Sequence, residues 1–231
     1  YTKYVNPFVG NADNGHTFPG ACRPFGMIQT SPVTGGVGWR YCAEYVYSDS
    51  IIWGFTQDHL NGTGCMDLGD ILVMPSTGSR TRQWDQYRSH YVKTQEFATP
   101  GYYSVYLSDA KVKAELTATP HVAFHRYTYD STDSTSVLID LQHGPSWNDK
   151  QYHSQVNLCE THWEDASTLV GHVQNTVWVK QDYFFVIKFN RPVASHVKLA
   201  KAADTEKGDR IVATFDGIDH GEQLLMKIAM S

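Results

Sequence analysis

The sequence predicts an all-β fold, a large antiparallel sandwich of two sheets with long ordered loops in its first third. From Gly101 onward, runs enriched in Val, Ile, Tyr, Phe and Thr are separated by turn residues. Some of these runs alternate apolar and polar positions, as between Lys111 and Leu116. The segment from Tyr1 to about Pro75 is instead rich in Gly, Pro, Asn and aromatic residues, a composition typical of loops between short strands. Loops of this length are usually functional.

The predicted strands follow one another at the short spacing expected of a sandwich. In chain order they are Tyr102 to Leu107, Lys111 to Thr119, Val122 to Tyr129, Val137 to Gln142, Thr168 to Lys180, Tyr183 to Phe189, Arg210 to Phe215 and Gln223 to Ala229. The one stretch that could form a helical turn or two lies near Ala194 to Ala203.

The length and charge of the chain limit the kinds of protein to which it can belong. A chain of 231 residues can form one large domain. It has 19 basic and 24 acidic side chains and a net charge of −5, with no basic stripe, which argues against nucleic acid as a partner. No apolar run approaches the roughly 18 residues that span a bilayer. The ends resemble neither a signal peptide nor a capped terminus, so we expect a piece of a longer protein.

Cysteine and histidine spacing does not predict a metal site. The four cysteines, Cys22, Cys42, Cys65 and Cys159, form no CxxC pair, and their disulfide state stays open. Of the eleven histidines, only His121 and His125 are four residues apart. On a strand that spacing separates them by about 13 Å, too far to share a metal ion. His143, before Gly144 and Pro145, is a candidate loop ligand, although such a residue is more often solvated or hydrogen bonded to a turn.

Two constellations contain candidate sugar-binding side chains. In the first, the turns around Gly15 to Ala21 hold His16 and Phe18 in a fixed backbone path, although a packed loop without a ligand would have the same composition. In the second, Trp39, Arg40 and Glu44 place an indole, a guanidinium and a carboxylate within seven residues. An aromatic face and planar charged groups suit a pyranose. The alternatives are a core tryptophan and a surface ion pair between Arg40 and Glu44.

The third constellation runs from Gly54 to Asp70. Its glycines and short polar side chains predict a loop that presents backbone amides and His59 to a ligand. Asp67 and Asp70 could be read as a catalytic or metal pair, but nothing fixes their separation. We interpret both as turn-capping carboxylates.

Taken together, these motifs resemble the glycoside hydrolase family 92 α-mannosidases, exo-acting enzymes known mostly from glycan-foraging Bacteroidetes. The resemblance extends from Val5 to Tyr127, and the segments that match are VNPFVG, GHTFPGA, PFGMIQTSP, Trp39 to Asp49, GFTQDHLNGTGCMDLGDI, ATPGYYSVYL and AELTATPHVAFHRY. The chain departs from the family at Glu44, where Gly is usual, and at Gln57, where a histidine is usual. If those positions touch the glycan, the preferred mannosidic linkage differs.

The resemblance implies a Ca²⁺-dependent enzyme that releases terminal mannose with inversion from α-mannosides such as those of N-glycans. It places the acid, the base and the Ca²⁺ ligands in a following (α/α)6-barrel domain, which this chain lacks. Residues 1–231 would then be the amino-terminal sandwich, packed on that catalytic domain and inactive alone. The residues it implies at the mannose pocket are His16, Phe18, Trp39, Arg40, Cys42, His59 and Gly64. The expected location is the bacterial periplasm, cell surface or exterior.

Two other readings of the sequence remain open. One is a free-standing carbohydrate-binding module for mannose-containing glycans. The other is a structural interaction domain, whose sign would be an exposed apolar patch around Trp39 and Phe55.

Overall fold

The computed structural model describes residues 1–78, 83–131, 133–146 and 155–231. Within these ranges it contains seventeen strands, four short 3₁₀ turns and no α-helix. The strands are β1 (Ala21–Cys22), β2 (Gln29–Val33), β3 (Ile51–Ile52), β4 (Gly54–Thr56), β5 (Leu72–Thr77), β6 (Ser89–His90), β7 (Glu96–Thr99), β8 (Tyr102–Leu107), β9 (Val112–Ala118), β10 (Val122–Tyr129), β11 (Thr135–Asp140), β12 (Gln155–Asp165), β13 (Thr168–Thr176), β14 (Lys180–Phe189), β15 (Ser195–Lys198), β16 (Arg210–Phe215) and β17 (Gln223–Met230). No helix in these ranges is long and apolar enough to cross a membrane.

The strands form two large sheets and one small one, which confirms the predicted antiparallel sandwich. The seven-stranded sheet has the order β1-β2-β4-β5-β11-β16-β15. The eight-stranded sheet has the order β12-β13-β14-β17-β10-β9-β8-β7, and β3 pairs with β6. Both large sheets contribute to one hydrophobic core. Phe55 of the seven-stranded sheet lies with its ring centroid 6.5 Å from Tyr103 and 6.5 Å from Tyr127 of the other sheet.

The eight-stranded sheet follows the alternation expected of a sheet with one covered face. In β14, Tyr183, Phe185 and Ile187 are buried, whereas Phe184 and Val186 between them are exposed. Because successive side chains of a strand point to opposite faces of the sheet, one set packs in the core and the other faces outward.

The middle of the seven-stranded sheet is covered on both faces. Every residue of β5, β11 and β16 is buried. On the outer face Trp53 and Trp84 line a small cavity together with Leu72 and Leu138. The guanidinium of Arg210 lies 4.6 Å from the centroid of the Trp84 ring. Connecting segments thus act as a third layer over this sheet.

All eight predicted strands are confirmed, three of them at both ends: Tyr102–Leu107, Val122–Tyr129 and Arg210–Phe215. The possible helical turn at Ala194 to Ala203 is wrong, because Ser195–Lys198 forms an edge strand paired with β16. Sequence inspection also missed the eleven-residue strand β12 (Gln155–Asp165). Because β12 is an edge strand with mainly polar, exposed side chains, it has little of the apolar alternation that marks a strand.

The predicted loop-rich first third is confirmed, and backbone hydrogen bonds join its segments to one another. The amide of Gly62 donates to the carbonyl of His16 at 2.5 Å, and that of Tyr47 donates to the carbonyl of Asn11 at 2.7 Å. The amide of Gln29 donates to the carbonyl of Gln57 at 2.8 Å. These bonds place the three constellations of the sequence beside one another.

Candidate functional site

His16, Trp39 and Gly64, which come from the three separate constellations, meet at one place. The rings of His16 and Trp39 are in edge contact, with centroids 4.8 Å apart and planes at 87°. Gly64 has φ of +62°, and a Cβ there would lie 2.6 Å from Cη2 of Trp39 and 3.0 Å from Nδ1 of His16. Only glycine combines that backbone conformation with so close an approach of the two rings.

The His16 and Trp39 pair combines an accessible indole with a buried polar atom that has no hydrogen-bond partner among the described residues. The Trp39 side chain is 50% exposed, whereas His16 is 7% exposed. Nε2 of His16 is buried and has no hydrogen-bond partner among the described residues. A buried polar atom of this kind normally has a partner, so a missing one indicates a ligand or water. An accessible indole beside it provides an apolar face on which a ligand can pack.

Phe18 and His59 form a second pair, which is buried. Their ring centroids are 4.9 Å apart with planes at 32°. Nδ1 of His59 lies 2.8 Å from the carbonyl oxygen of Gln29, and Nε2 lies 2.9 Å from Oγ1 of Thr56. The His59 ring therefore lies inside the protein against the Phe18 ring. Each of its two nitrogens is within hydrogen-bond distance of a protein oxygen atom.

The remaining predicted site residues, Arg40 and Cys42, lie on the segment that follows Trp39. Arg40 is exposed and donates from Nη2 to Oγ of Ser48 at 2.7 Å. Cys42 is buried, and burial together with the nearby Cys65 raises the pKa of its thiol to about 11. Both cysteines are free thiols, as are Cys22 and Cys159. At neutral pH Cys42 is thus a protonated, unreactive thiol.

Glu44 is not part of a surface ion pair with Arg40, because its side chain is 1% exposed. Its carboxylate lies 2.7 Å from Nε2 of His143 and 3.3 Å from Nε2 of His59. Burial acts to raise the pKa of Glu44, but the charges and hydrogen bonds of His143 and His59 outweigh it and lower the pKa to about 2. Sequence reasoning missed this cluster, and the one available signal was the unusual glutamate in a glycine-rich loop.

His143 is buried and its Nε2 lies 2.7 Å from this carboxylate, so it is not a solvated residue, and its amide donates to Oδ1 of Asp140 at 3.1 Å as in a turn. Gln57 is also buried, and its Oε1 lies 3.1 Å from Nε2 of His125 in the core. Because Glu44 and Gln57 are both inside the protein, neither presents its side chain to a ligand at the surface. Phe55 is fully buried as well, so the apolar patch considered around Trp39 and Phe55 does not exist.

Asp70 does not cap a turn as predicted. It is buried, and its carboxylate accepts a hydrogen bond from Nδ2 of Asn175 in β13 of the eight-stranded sheet. Its amide donates to Oδ1 of Asp58 at 2.7 Å. Burial, followed by the charge and hydrogen bond of Asp58, raises the pKa of Asp70 well above its usual range.

The prediction for Asp67 is confirmed in part. Oδ1 of Asp67 accepts from the amide of Leu68 at 3.1 Å, as in a turn. The same side chain also accepts from the amide of Val179 at 3.1 Å and from Nε2 of Gln181 at 2.9 Å. Asp67 therefore joins the loop to the hairpin between β13 and β14.

The described residues contain no group of three or more His, Cys, Asp or Glu side chains placed to hold a metal ion.

Comparison with protein families identifies the chain. Residues 4–231 match the model of the glycosyl hydrolase family 92 N-terminal domain. The chain belongs to this family. The family 92 domain also has the fold of solved relatives: it superposes on a family 92 α-mannosidase from Bacteroides thetaiotaomicron with a TM-score of 0.86 and 30% identity. That structure was solved in complex with mannoimidazole.

Two further relatives have lower identity. A family 92 glycosyl hydrolase called ccman5 gives a TM-score of 0.82 at 24% identity, which shows the fold alone. An uncharacterized secreted glycosidase from Arthroderma benhamiae is 28% identical over 152 residues, covering 60% of this chain and 19% of its own length. Each superposition includes the whole of the family 92 domain but only 32% of the solved relative. The domain therefore corresponds to one part of a larger enzyme.

Proposed function

We propose that the protein containing this domain is a Ca²⁺-dependent, inverting exo-α-mannosidase, and that the domain contributes loops to its mannose pocket. The observation that carries the proposal is the exposed Trp39 indole beside the unpartnered Nε2 of His16. The mannoimidazole-bound relative supports mannose as the sugar, and the secreted fungal relative supports action outside the cell.

In this proposal the domain binds and orients the sugar. The Trp39 indole would lie against the C–H face of a mannose ring, and Nε2 of His16 would form a hydrogen bond with a hydroxyl. Gly64 keeps the two rings in contact because it has no side chain to separate them. Arg40, on the exposed side, would reach glycan beyond the terminal mannose.

The acid, the base and the Ca²⁺ ligands are assigned to a following (α/α)6-barrel domain. When bound there, Ca²⁺ would contact sugar hydroxyls and favour a distorted ring. Release of mannose with inversion requires two carboxyl groups about 6.5–9.5 Å apart with a water molecule between them. The family 92 domain would exclude bulk water from one wall of that site.

The test is hydrolysis of an aryl α-mannoside by the full-length protein, with and without a Ca²⁺ chelator. We expect Ca²⁺-dependent turnover that releases β-mannose, measured by NMR immediately after mixing. Removing the Trp39 ring (W39A) should lower kcat/KM about 10- to 100-fold, since poor positioning alone has effects of that size. Wild-type kcat/KM in W39A would show that the indole does not touch the substrate.

The free-standing carbohydrate-binding module stays as the second candidate, because the same exposed indole would serve it. Calorimetry of the 231-residue chain with mannose oligosaccharides separates the two functions. If the domain supplies only part of a mannose pocket, the chain alone should bind these oligosaccharides very weakly. A binding module would bind them without the rest of the protein. Turnover of an aryl α-mannoside by the chain alone would contradict both.

A further inference from the structure

Three polar atoms form a closed triangle inside the loop-rich third. Oγ1 of Thr56 lies 2.8 Å from Oε2 of Glu44 and 2.9 Å from Nε2 of His59. Oε2 of Glu44 and Nε2 of His59 are 3.3 Å apart. All three residues are buried.

Hydrogen bonds on both sides hold the His59 ring in one orientation. Nδ1 of His59 faces the carbonyl oxygen of Gln29, which only accepts, so Nδ1 carries a hydrogen. On the other side of the ring, Nε2 lies beside the Thr56 hydroxyl and the Glu44 carboxylate. Because the Thr56 hydroxyl donates to Oε2 of Glu44, the carboxylate also fixes the hydroxyl that the His59 ring contacts.

The backbone at Glu44 is held in a conformation that a glutamate rarely adopts. Its φ is +58°, in the left-handed region, where a non-glycine residue persists only if its surroundings impose it. The carbonyl of Glu44 accepts from the amides of Thr34 and Gly35, and its amide donates to the carbonyl of Tyr41. A Cβ on Gly69 would lie 2.8 Å from the Glu44 carboxylate oxygens. The surrounding backbone therefore leaves room for this carboxylate.

The position of Glu44 connects the two halves of the candidate site. Its main chain closes the turn that contains Trp39, and its side chain bonds to His59, whose ring lies against Phe18. The other carboxylate oxygen accepts from Nε2 of His143, in the segment after β11. No other glutamate in the described part of the chain connects these segments.

We infer that Glu44 is a positioning residue for the sugar site, because its carboxylate holds the His59 ring against Phe18 and its main chain closes the loop that contains Trp39. This role rests on the proposed function. Glu44 itself touches no substrate and acts through His59 and the turn.

The test uses the full-length protein in four forms: wild type, E44Q, E44G and E206Q. E44Q keeps the shape and removes the charge, whereas E44G removes the side chain and suits the left-handed backbone, so it should fold even if E44Q does not. Glu206 is the matched control, because it is also a buried carboxylate but pairs with Arg210 at 2.7 Å in a different cluster.

The first readout is ¹⁵N NMR of histidine-labelled protein, with the His59 signals assigned by their loss in H59N. At pH 7 we expect the His59 ring signals to have the same chemical shifts in wild type and in E206Q, and to move in E44Q and E44G because the contact with the carboxylate is lost. His59 signals that stay unchanged in both Glu44 variants overturn the inference. This readout does not depend on activity, so it stands even if the protein hydrolyses no mannoside.

The second readout is kcat/KM on an aryl α-mannoside, corrected for the folded fraction. We expect a decrease of about 10- to 100-fold in E44Q and E44G, the size of effect that misplaced binding groups produce, with E206Q unchanged. If both Glu44 variants keep wild-type kcat/KM and lose only stability, Glu44 is merely structural and the inference is overturned. Absence of turnover in wild type would instead contradict the proposed function.

Discussion

The loop-rich first third and strand β14 of the eight-stranded sheet bury different kinds of side chain. Along β14 the buried side chains are apolar or aromatic, whereas the loops bury Glu44, Asp58, His59 and Asp70. Strands satisfy their amides and carbonyls through the ladder, so their inward side chains are free to be apolar. Irregular backbone has no ladder and takes side-chain partners, as when Asp58 accepts from the amide of Asp70 at 2.7 Å. Polar burial in the loops is thus a consequence of their irregular path.

The largest effect should come from the core between the sheets. Replacing Phe55 with alanine (F55A) removes a fully buried ring in contact with Tyr103 and Tyr127. We expect the free energy of unfolding to fall by about 3–5 kcal/mol, measured by denaturant titration. The matched control is F184A, because Phe184 is 58% exposed on β14 and should change stability by less than about 0.5 kcal/mol. Similar losses in both variants would mean that the exposed face is covered in solution.

Gly64→Ala (G64A) tests the close approach of loops at the site. At φ of +62° an alanine costs about 1–2 kcal/mol, and its Cβ would lie 2.6 Å from the Trp39 ring. We therefore expect lower thermal stability together with changed Trp39 fluorescence. Gly62 is the control, since its φ of +73° carries the same backbone penalty but no atom lies within 4 Å of its Cβ position. Equal fluorescence in G64A and G62A would contradict the contact.

Asp70→Asn (D70N) tests the buried carboxyl pair through the pH dependence of stability. Because the pKa of Asp70 is raised in the folded state, that state binds more protons than the unfolded one. The free energy of unfolding should therefore fall as pH rises from about 4, the ordinary pKa of aspartate, through the raised folded pKa. D70N removes this term, so its curve should be flatter and its stability relative to wild type should increase with pH.

The control for D70N is D204N, at an exposed position, measured by urea titration at several pH values. D204N should follow the wild-type curve. If D70N instead becomes less stable relative to wild type as pH rises, Asp70 is ionised in the folded protein and its assigned pKa direction is wrong.

The smallest expected effect on stability is that of Arg40→Ala (R40A). Arg40 is exposed, and its hydrogen bond to Ser48 is open to solvent. We expect a change of less than about 0.5 kcal/mol in thermal unfolding, as for most surface substitutions. Any loss of glycan binding in R40A can then be assigned to contact with the sugar. A larger loss of stability would show that Arg40 holds the Trp39 segment in place.

The sequence predicted the strands well where apolar residues alternate, as from Val122 to Tyr129. It failed for Gln155 to Asp165, because an edge strand with an exposed polar face lacks that pattern. Composition also marked the three constellations of the candidate site, since glycine and proline act locally on backbone angles. It did not separate the exposed Trp39 from the buried Cys42, because exposure depends on how the loops cover one another.

The sequence by itself determined the sandwich class, the loop-rich first third and the family, because each depends on local composition or on contiguous motifs. The tertiary structure alone decided the partners of the polar side chains. Glu44 and His143 are 99 positions apart, and Asp70 and Asn175 are 105 apart. No local pattern encodes such pairs, because they form only when both sheets and the loops between them have packed.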